Sequence, residues 1–365
     1  MLVSTLIASA GLFGSAFGGI LPRSFGIPKG DGFPFPNDAQ EKQIALQALG
    51  KLPGAAPPKT LGAGSTTAFQ LIAFNELFET AFFNSLLHNI TQGVRGYEVP
   101  SNERGESEQI IRTILAQEKQ HAIGALAILK SAGKFAPSPC KYQFPVNKLD
   151  DAIFLAETFT AVVLGALQDA NVIFSSEGLP EIVRLVSSVI GQEGEQNGFY
   201  RIHLGEIPSE SPFLTTVPAA FAWSALQLFV VPGSCSYDIK KIPLPIFPSL
   251  LVNGGPIAKV APKDQILKFE ANLKGSKSAK NYYGKSENLY ITYTTGQQLP
   301  ISVKAENVRW NKNKVTLEAK FPYKENVMAG FSHAALTTGK DFASADAVVG
   351  KTLAAPGVIQ VRNVI

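Results

Sequence analysis

The spacing of hydrophobic residues changes from helical to strand-like along the chain. Between residues 66 and 204, apolar positions recur every three or four residues, which predicts amphipathic helices. Beyond residue 262, short apolar runs with alternating polar residues are typical of strands that bury one face. The pattern therefore predicts a helical domain followed by an all-β domain.

Four long helices are predicted, over residues 67–90, 104–132, 148–174 and 179–204. Short links predict that the first two helices, and the last two, form antiparallel pairs. The middle link, residues 134–147, contains three prolines. Its 14 residues can extend about 45 Å, enough to cross a helix about 39 Å long. Two helical pairs joined by one long crossover are the connectivity of a ferritin-like four-helix bundle.

The C-terminal part predicts a small antiparallel β-sandwich of the immunoglobulin-like class over residues 262–365. Its strand-like segments are residues 265–273, 287–295, 299–310, 314–323 and 357–365. Residues 311–313, Asn-Lys-Asn, separate two of these segments and predict a hairpin turn.

The remaining segments divide the chain further. Residues 1–18 predict a signal peptide, because a short apolar run ends in a small-x-small pattern, although no positive n-region precedes it. A buried or membrane-spanning N-terminal helix is the alternative. Residues 19–65 form a Gly- and Pro-rich leader with a short helix near residues 39–49, and residues 237–261 form a Pro-rich linker.

The helical domain is assigned to residues 66–236, and its end needs a membrane check. Residues 211–236 carry no charged residue, but they contain Pro218 and Pro232. We expect an extra helix packed on the helical domain, and no membrane span.

Two further signals agree with secretion. Cys140 and Cys235 are the only cysteines, and both lie in predicted loops. In an oxidising compartment such a pair predicts one disulfide; two unrelated buried thiols are the alternative. Asn89 begins the sequence Asn-Ile-Thr, a potential glycosylation site.

Charge is distributed unevenly along the chain. The net charge is +4, which is too small to indicate nucleic-acid binding. Residues 263–324, however, contain 12 basic and 5 acidic residues, a net charge of +7. This basic β domain suits an anionic cell-wall polymer or cell-surface component; a solvated lysine-rich face that protects strand edges is the alternative.

Each long helix carries acidic residues in apolar surroundings, where an unpartnered carboxylate is costly. In helix order the residues are Glu76 and Glu79, Glu118 and His121, Glu157, and Glu193 and Gln196. A di-metal bundle takes one Glu from each of two helices and Glu-x-x-His from each of the other two. Carboxylates with imidazole suit iron or manganese. The fourth helix has Glu-x-x-Gln instead, so the pattern is one histidine short.

The segments "FQLIAFNELFETAFFNSLLHNIT", "ILAQEKQHA", "VIGQEGEQNGFYR" and "FVVPGSCS" resemble the ferritin-like domain proteins of fungi. These are the late sexual development or stress-response proteins, related to plant desiccation-related proteins. The resemblance implies a ferritin-like bundle, secretion and a link to stress, nutrient limitation or development. By analogy with metal-binding members, the ligand positions match Glu76, Glu118, His121, Glu157 and Glu193. Gln196 departs from the metal-binding pattern.

Two functions follow as hypotheses. The first is a secreted, non-catalytic protein that acts in stress response or sexual development. The second is an oxidoreductase with a carboxylate-bridged pair of iron or manganese ions. No nucleophile motif or Gly-rich phosphate loop is visible, so no catalytic residue is assigned.

The other histidines, His88, His203 and His333, stand alone and are expected at the surface or as helix caps.

Three glycines lie inside the fourth helix, at positions 191, 194 and 198, on one stripe. They predict close approach of another helix near the acidic residues; a frayed or kinked helix is the alternative.

Overall fold

The computed structural model describes residues 24–25, 30–276, 278–363 and 365. The predicted signal peptide, residues 1–18, lies outside the described residues. The chain divides into two compact units. The first unit contains the described residues up to Leu155, with Ile173–Leu179 and Leu226–Pro243, and the second contains Ala156–Val172, Pro180–Ala225 and Leu244–Ile365.

Three helices of the first unit agree with the predicted segments. They are α1 (Asp38–Ala48), α2 (Ala63–Thr91) and α3 (Arg104–Ser131). Asn37 and Gln40 form a capping box that begins α1. The first turn of α2 has no capping side chain of its own. The Glu177 carboxylate replaces it by accepting hydrogen bonds from the backbone N–H groups of Gly64 and Ser65.

The crossover, residues 134–147, is fixed by backbone pairing and by a disulfide. Strand β1 (Ser24–Phe25) pairs antiparallel with β2 (Tyr142–Gln143). The Gln143 N–H donates to the carbonyl of Phe229 over 2.8 Å. Cys140 and Cys235 form the predicted disulfide, which joins two residues that are 95 positions apart in the sequence.

The helices of the second unit come from α4 and α5. Helix α4 (Leu149–Ser176) contributes residues 156–172, and α5 (Pro180–His203) lies wholly within the unit. The Asn171 side-chain amide donates to the Ser187 hydroxyl over 3.1 Å and links the two helices. Pro180 begins α5, where its missing N–H costs nothing.

The uncharged stretch at residues 211–236 contains only one short helix, α6 (Ala219–Leu226). Pro218 immediately precedes it, and the segment past Phe229 runs beside the crossover instead of continuing as a helix. Among the described residues, no helix is both long and apolar enough to cross a membrane.

The C-terminal region forms two facing sheets. One has the order β4-β11-β10-β6-β7, and the other β3-β5-β9-β8. The first sheet consists of β4 (Ile257–Val260), β6 (Tyr290–Thr295), β7 (Ile301–Lys304), β10 (Gly330–Thr337) and β11 (Thr352–Val361). The second consists of β3 (Leu250–Val252), β5 (Gln265–Asn272), β8 (Glu306–Asn311) and β9 (Lys314–Phe321). Short helices α7 (Tyr323–Asn326) and α8 (Ala345–Val349) lie in the connections.

The sheets bury a continuous apolar core that includes Leu267, Tyr293 and Leu317. Strands β3 and β4 come from the stretch that the sequence assigned to the linker. Strand β10 was not predicted, because every residue of this central strand is buried and the alternation of apolar and polar residues is absent. The hairpin turn predicted after Asn311 does join β8 to β9.

His333 lies on β10 and is buried, so the expectation of a surface position was wrong for this histidine. His88 and His203 are exposed, as expected. The Nε2–H of His333 donates to the Thr216 carbonyl over 3.0 Å, and Nδ1 has no hydrogen-bond partner among the described residues. Burial lowers the pKa of His333 to about 4, although the contact with Thr216 opposes this shift.

The neutral His333 predicts a pH-dependent loss of stability. Between pH 6.5 and pH 4 the unfolded chain binds a proton at this site and the folded chain does not. The unfolding free energy therefore falls as the pH falls through this range, by about 3 kcal/mol in total. Urea unfolding at several pH values should show this loss in the wild type and a smaller loss in His333→Gln. His203→Gln, which changes an exposed histidine, should behave like the wild type; equal pH dependence in all three proteins would contradict the assignment.

Candidate metal centre

Helices α2 and α3 bring together three of the predicted ligands. Glu76 on α2 and Glu118 on α3 are fully buried, and the His121 side chain is 15% exposed. His121 Nδ1 lies 3.1 Å from Glu118 Oε2 and 3.6 Å from Glu76 Oε2. One ligand atom from each residue lies within 4.8 Å of the others. The i, i+3 spacing of Glu118 and His121 places both side chains over one turn of α3.

The protonation states of this cluster depend on burial and on mutual contact. Burial raises the pKa of Glu76 to about 7, although His121 opposes the shift. Burial lowers the pKa of His121, but the contacts with Glu118 and Glu76 outweigh it and hold that pKa well above its usual value. Without a metal the cluster therefore shares protons, and a bound cation would displace them.

The donor set fits one divalent transition-metal ion. Two carboxylates and one imidazole are ligands that iron and manganese accept. Neither oxygen of the buried Glu76 accepts a hydrogen bond from the described part of the chain. Its contact with His121 is 3.6 Å long, so a bound cation would provide a closer partner for this buried carboxylate.

The other predicted residues have different surroundings. Glu79 lies one turn from Glu76 and accepts a hydrogen bond from the Asn75 side-chain amide over 3.1 Å. On α5, Glu193 and Gln196 are both buried. The Tyr200 hydroxyl donates to Gln196 Oε1 over 3.3 Å, which makes the amide oxygen a hydrogen-bond acceptor within its own helix.

Glu157 on α4 has a cationic partner that the sequence did not predict. Its carboxylate lies 2.6 Å from the guanidinium of Arg201, and both side chains are 1% exposed. The sequence did indicate that Glu157 needs a partner, because it is a lone charge in an apolar helix. The identity of that partner was missed, because Arg201 is 44 residues away and nothing local connects the two.

Arg201 is the centre of a buried charge network. Its guanidinium also approaches Glu206 at 3.3 Å and Glu210 at 3.8 Å, and its Nε–H donates to the Ile207 carbonyl over 2.7 Å. Arg362, just after β11, donates to Glu206. The network therefore ties α5 to the end of a sandwich strand.

Three carboxylates and two guanidinium groups leave one excess negative charge in this network. Burial raises the pKa of Glu157 to about 7; the Glu206 charge adds to this rise, and Arg201 opposes it. Burial also raises the pKa of Glu210. Protonation of one carboxylate near neutral pH balances the excess charge.

The predicted glycosylation residue, Asn89, lies in the last turn of α2 and is half-buried. Its side chain contacts the Tyr97 hydroxyl. A glycan at Asn89 would have to displace this contact.

The sequence predicts close approach of another helix at the α5 glycines, but the described residues provide no close neighbour at Gly191 or Gly194. A Cβ added at either Gly191 or Gly194 would meet no atom of the described residues within 4 Å, and at Gly198 it would make ordinary contact with Pro208. Helix α5 runs unbroken through all three positions, so the alternative of a frayed helix is not seen either. We have no structural reason for glycine at Gly191 and Gly194.

Comparison with known proteins identifies the helical part. Residues 66–206 match the family model described as Ferritin-like domain. The chain thus contains a helical ferritin-like domain, formed by helices within residues 63–203, followed by an all-β region. No curated protein sequence matches the chain.

Removal of the Arg201 charge should destabilise the fold strongly. Arg201→Met leaves three buried carboxylates without their shared cation, and we expect a loss of about 3–5 kcal/mol in unfolding free energy. Arg184→Met on the same helix removes an exposed partner of Glu181 and should cost less than about 1 kcal/mol. Denaturant unfolding compares the two variants; a similar small effect in both would show that the network does not hold the fold.

Gly191→Ala should stabilise the protein by about 0.5–1 kcal/mol, because Ala reduces the entropy cost of folding a helix and the added Cβ meets open space. Gly165→Ala on α4 is the contrasting variant. Its Cβ would lie 2.3 Å from the Thr215 carbonyl oxygen, so it should destabilise. Thermal unfolding measures both; destabilisation by Gly191→Ala would mean that the space beside α5 is needed.

Proposed function

We propose that this protein is a secreted, ferritin-like protein of the fungal stress-response type, without a di-metal oxidoreductase activity, that binds one transition-metal ion. Glu76, Glu118 and His121 hold the ion. Iron and manganese are the proposed metals. When bound, such an ion supplies Lewis acidity and, for iron, electron transfer.

The observation that carries this proposal is that the buried acidic residues have different partners. One Glu-x-x-His segment and one Glu converge in a buried cluster of the first unit. Glu157, which a second metal ion would need, is paired with Arg201. Gln196 stands where a second histidine is required, and a neutral amide is a weaker ligand than imidazole. The residues therefore support one ion in preference to two.

The bound ion has a structural role in this proposal. It would join α2 to α3 from the inside and replace the shared protons of Glu76 and His121. The charge of the ion would offset the cost of burying two carboxylates in an apolar helix pair. This stabilisation suits a protein that persists outside the cell during stress or sexual development.

Extracellular location is supported by the disulfide between Cys140 and Cys235 and by the apolar N-terminal segment in the sequence. We further propose that the basic β domain contacts an anionic component of the cell wall or cell surface.

The alternative is the carboxylate-bridged di-metal oxidoreductase. The buried Glu and Glu-x-x-His cluster favours it, because that half of a di-metal site is complete. It would require Glu157 to leave Arg201 and join the metal ions.

Metal content distinguishes the two functions. After anaerobic loading with iron(II) or manganese(II) and removal of free ions, mass spectrometry should find about one ion per chain in the wild type. Glu118→Gln and His121→Asn should lose it. Bound metal should also raise the thermal midpoint of the wild type but not of His121→Asn.

Glu157→Gln is the matched control, since it makes the same change to another buried carboxylate. It should keep its ion. Two ions per chain in the wild type, with loss in Glu157→Gln, would establish the di-metal alternative. No metal in the loaded wild type would refute both metal proposals.

A further inference from the structure

One end of the β-sandwich collects exposed lysines. This end, called the lysine rim, consists of the described residues of the β5–β6 connection (273–276 and 278–289) and the β8–β9 turn (residues 312–313). Its exposed lysines are Lys274, Lys280, Lys285 and Lys312. The connection contains one acidic residue, Glu287. The rim is therefore strongly positive, and it concentrates at one end part of the positive charge of the whole domain.

The two segments of the lysine rim are joined by hydrogen bonds. The Leu273 N–H donates to the Asn313 carbonyl over 2.9 Å, which ties the connection to the hairpin turn. The Trp310 indole N–H donates to the Lys285 carbonyl over 2.8 Å. These contacts hold the backbones of Lys285 and Lys312 at the same end of the sandwich.

Two aromatic rings lie among the lysines. Tyr283 and Trp310 are half-buried, and their ring centroids are 5.7 Å apart. The Tyr283 hydroxyl donates to the Leu273 carbonyl over 2.7 Å. Because the polar groups of both rings are already bonded to backbone, the rings offer a ligand their apolar surface rather than hydrogen bonds.

We infer that the lysine rim binds an anionic polysaccharide built from uronic acids. Such a chain carries regularly repeated carboxylates for the lysines and apolar C–H faces for the rings. This inference rests on the proposed extracellular location, and it assigns the chemistry and the position of the proposed cell-surface contact.

A lipid surface fits this end less well. The large hydrophobic side chains that are exposed in the described part of the chain all lie outside residues 273–289 and 312–313. A surface that enters a membrane interface needs apolar side chains to insert beside its cations.

Titration of the full chain with polygalacturonate tests the inference. Trp310 fluorescence reports binding, because the other tryptophan, Trp223, is fully buried. We expect saturable binding that weakens as salt rises, and no binding to the fully methyl-esterified polymer. The double variant Lys285→Glu/Lys312→Glu should bind at least tenfold more weakly.

Lys263→Glu/Lys324→Glu is the matched control. It makes the same charge change at exposed lysines of the opposite end, where the Lys324 N–H donates to Asp264 beside Lys263. It should keep wild-type binding. Equal weakening by both double variants would mean that only net charge matters and would overturn the inference. The inference would also be overturned if the protein bound polygalacturonate no more tightly than single-stranded DNA or phosphatidylserine vesicles.

The proposed function is tested separately. Metal content should be unchanged in both double variants, so failure of polysaccharide binding leaves the metal proposal intact. Recovery of the untagged protein from the culture medium tests the extracellular location on which the inference of polysaccharide binding depends.

Discussion

A carboxylate inside a protein needs a cation, a hydrogen bond or a proton, and this constraint determines how the helical domain is built. Glu76, Glu118, Glu157 and Glu193 are each no more than 1% exposed. The free-energy cost of burying an unpartnered charge exceeds the whole stability of a typical domain. Each of these carboxylates therefore needs a partner, and its position depends on that partner as well as on its own helix.

The chain meets this constraint in two different ways. In the first unit, Glu76 and Glu118 share protons with His121, a solution that a metal ion can replace. In the second unit, Glu157 is paired with Arg201, which also lies close to Glu206 and Glu210. The same network reaches the sandwich, because Glu210 accepts a hydrogen bond from the Phe331 N–H on β10. One buried arginine therefore both pairs with Glu157, a predicted metal ligand, and anchors the β region of its unit.

The long helices could be predicted from sequence because their apolar spacing repeats over many turns, and their ends carry ordinary signals such as Pro180. The cluster of Glu118 with His121 also follows from spacing, since helix geometry fixes residues three apart. The partner of Glu157 could not be predicted, because contacts across 44 residues depend on tertiary packing. Strand β10 was missed for a related reason: burial of both faces removes the alternation that marks a strand. His333, on that strand, was misplaced with it.

The central claim is that the acidic residues form one metal site and not two. The most direct measurement is anomalous diffraction from crystals of the full chain soaked with manganese(II). The account predicts one strong peak bound by Glu76, Glu118 and His121, with Glu157 still paired to Arg201. Two peaks, with Glu157 coordinating the second, or no peak at the cluster, would contradict it.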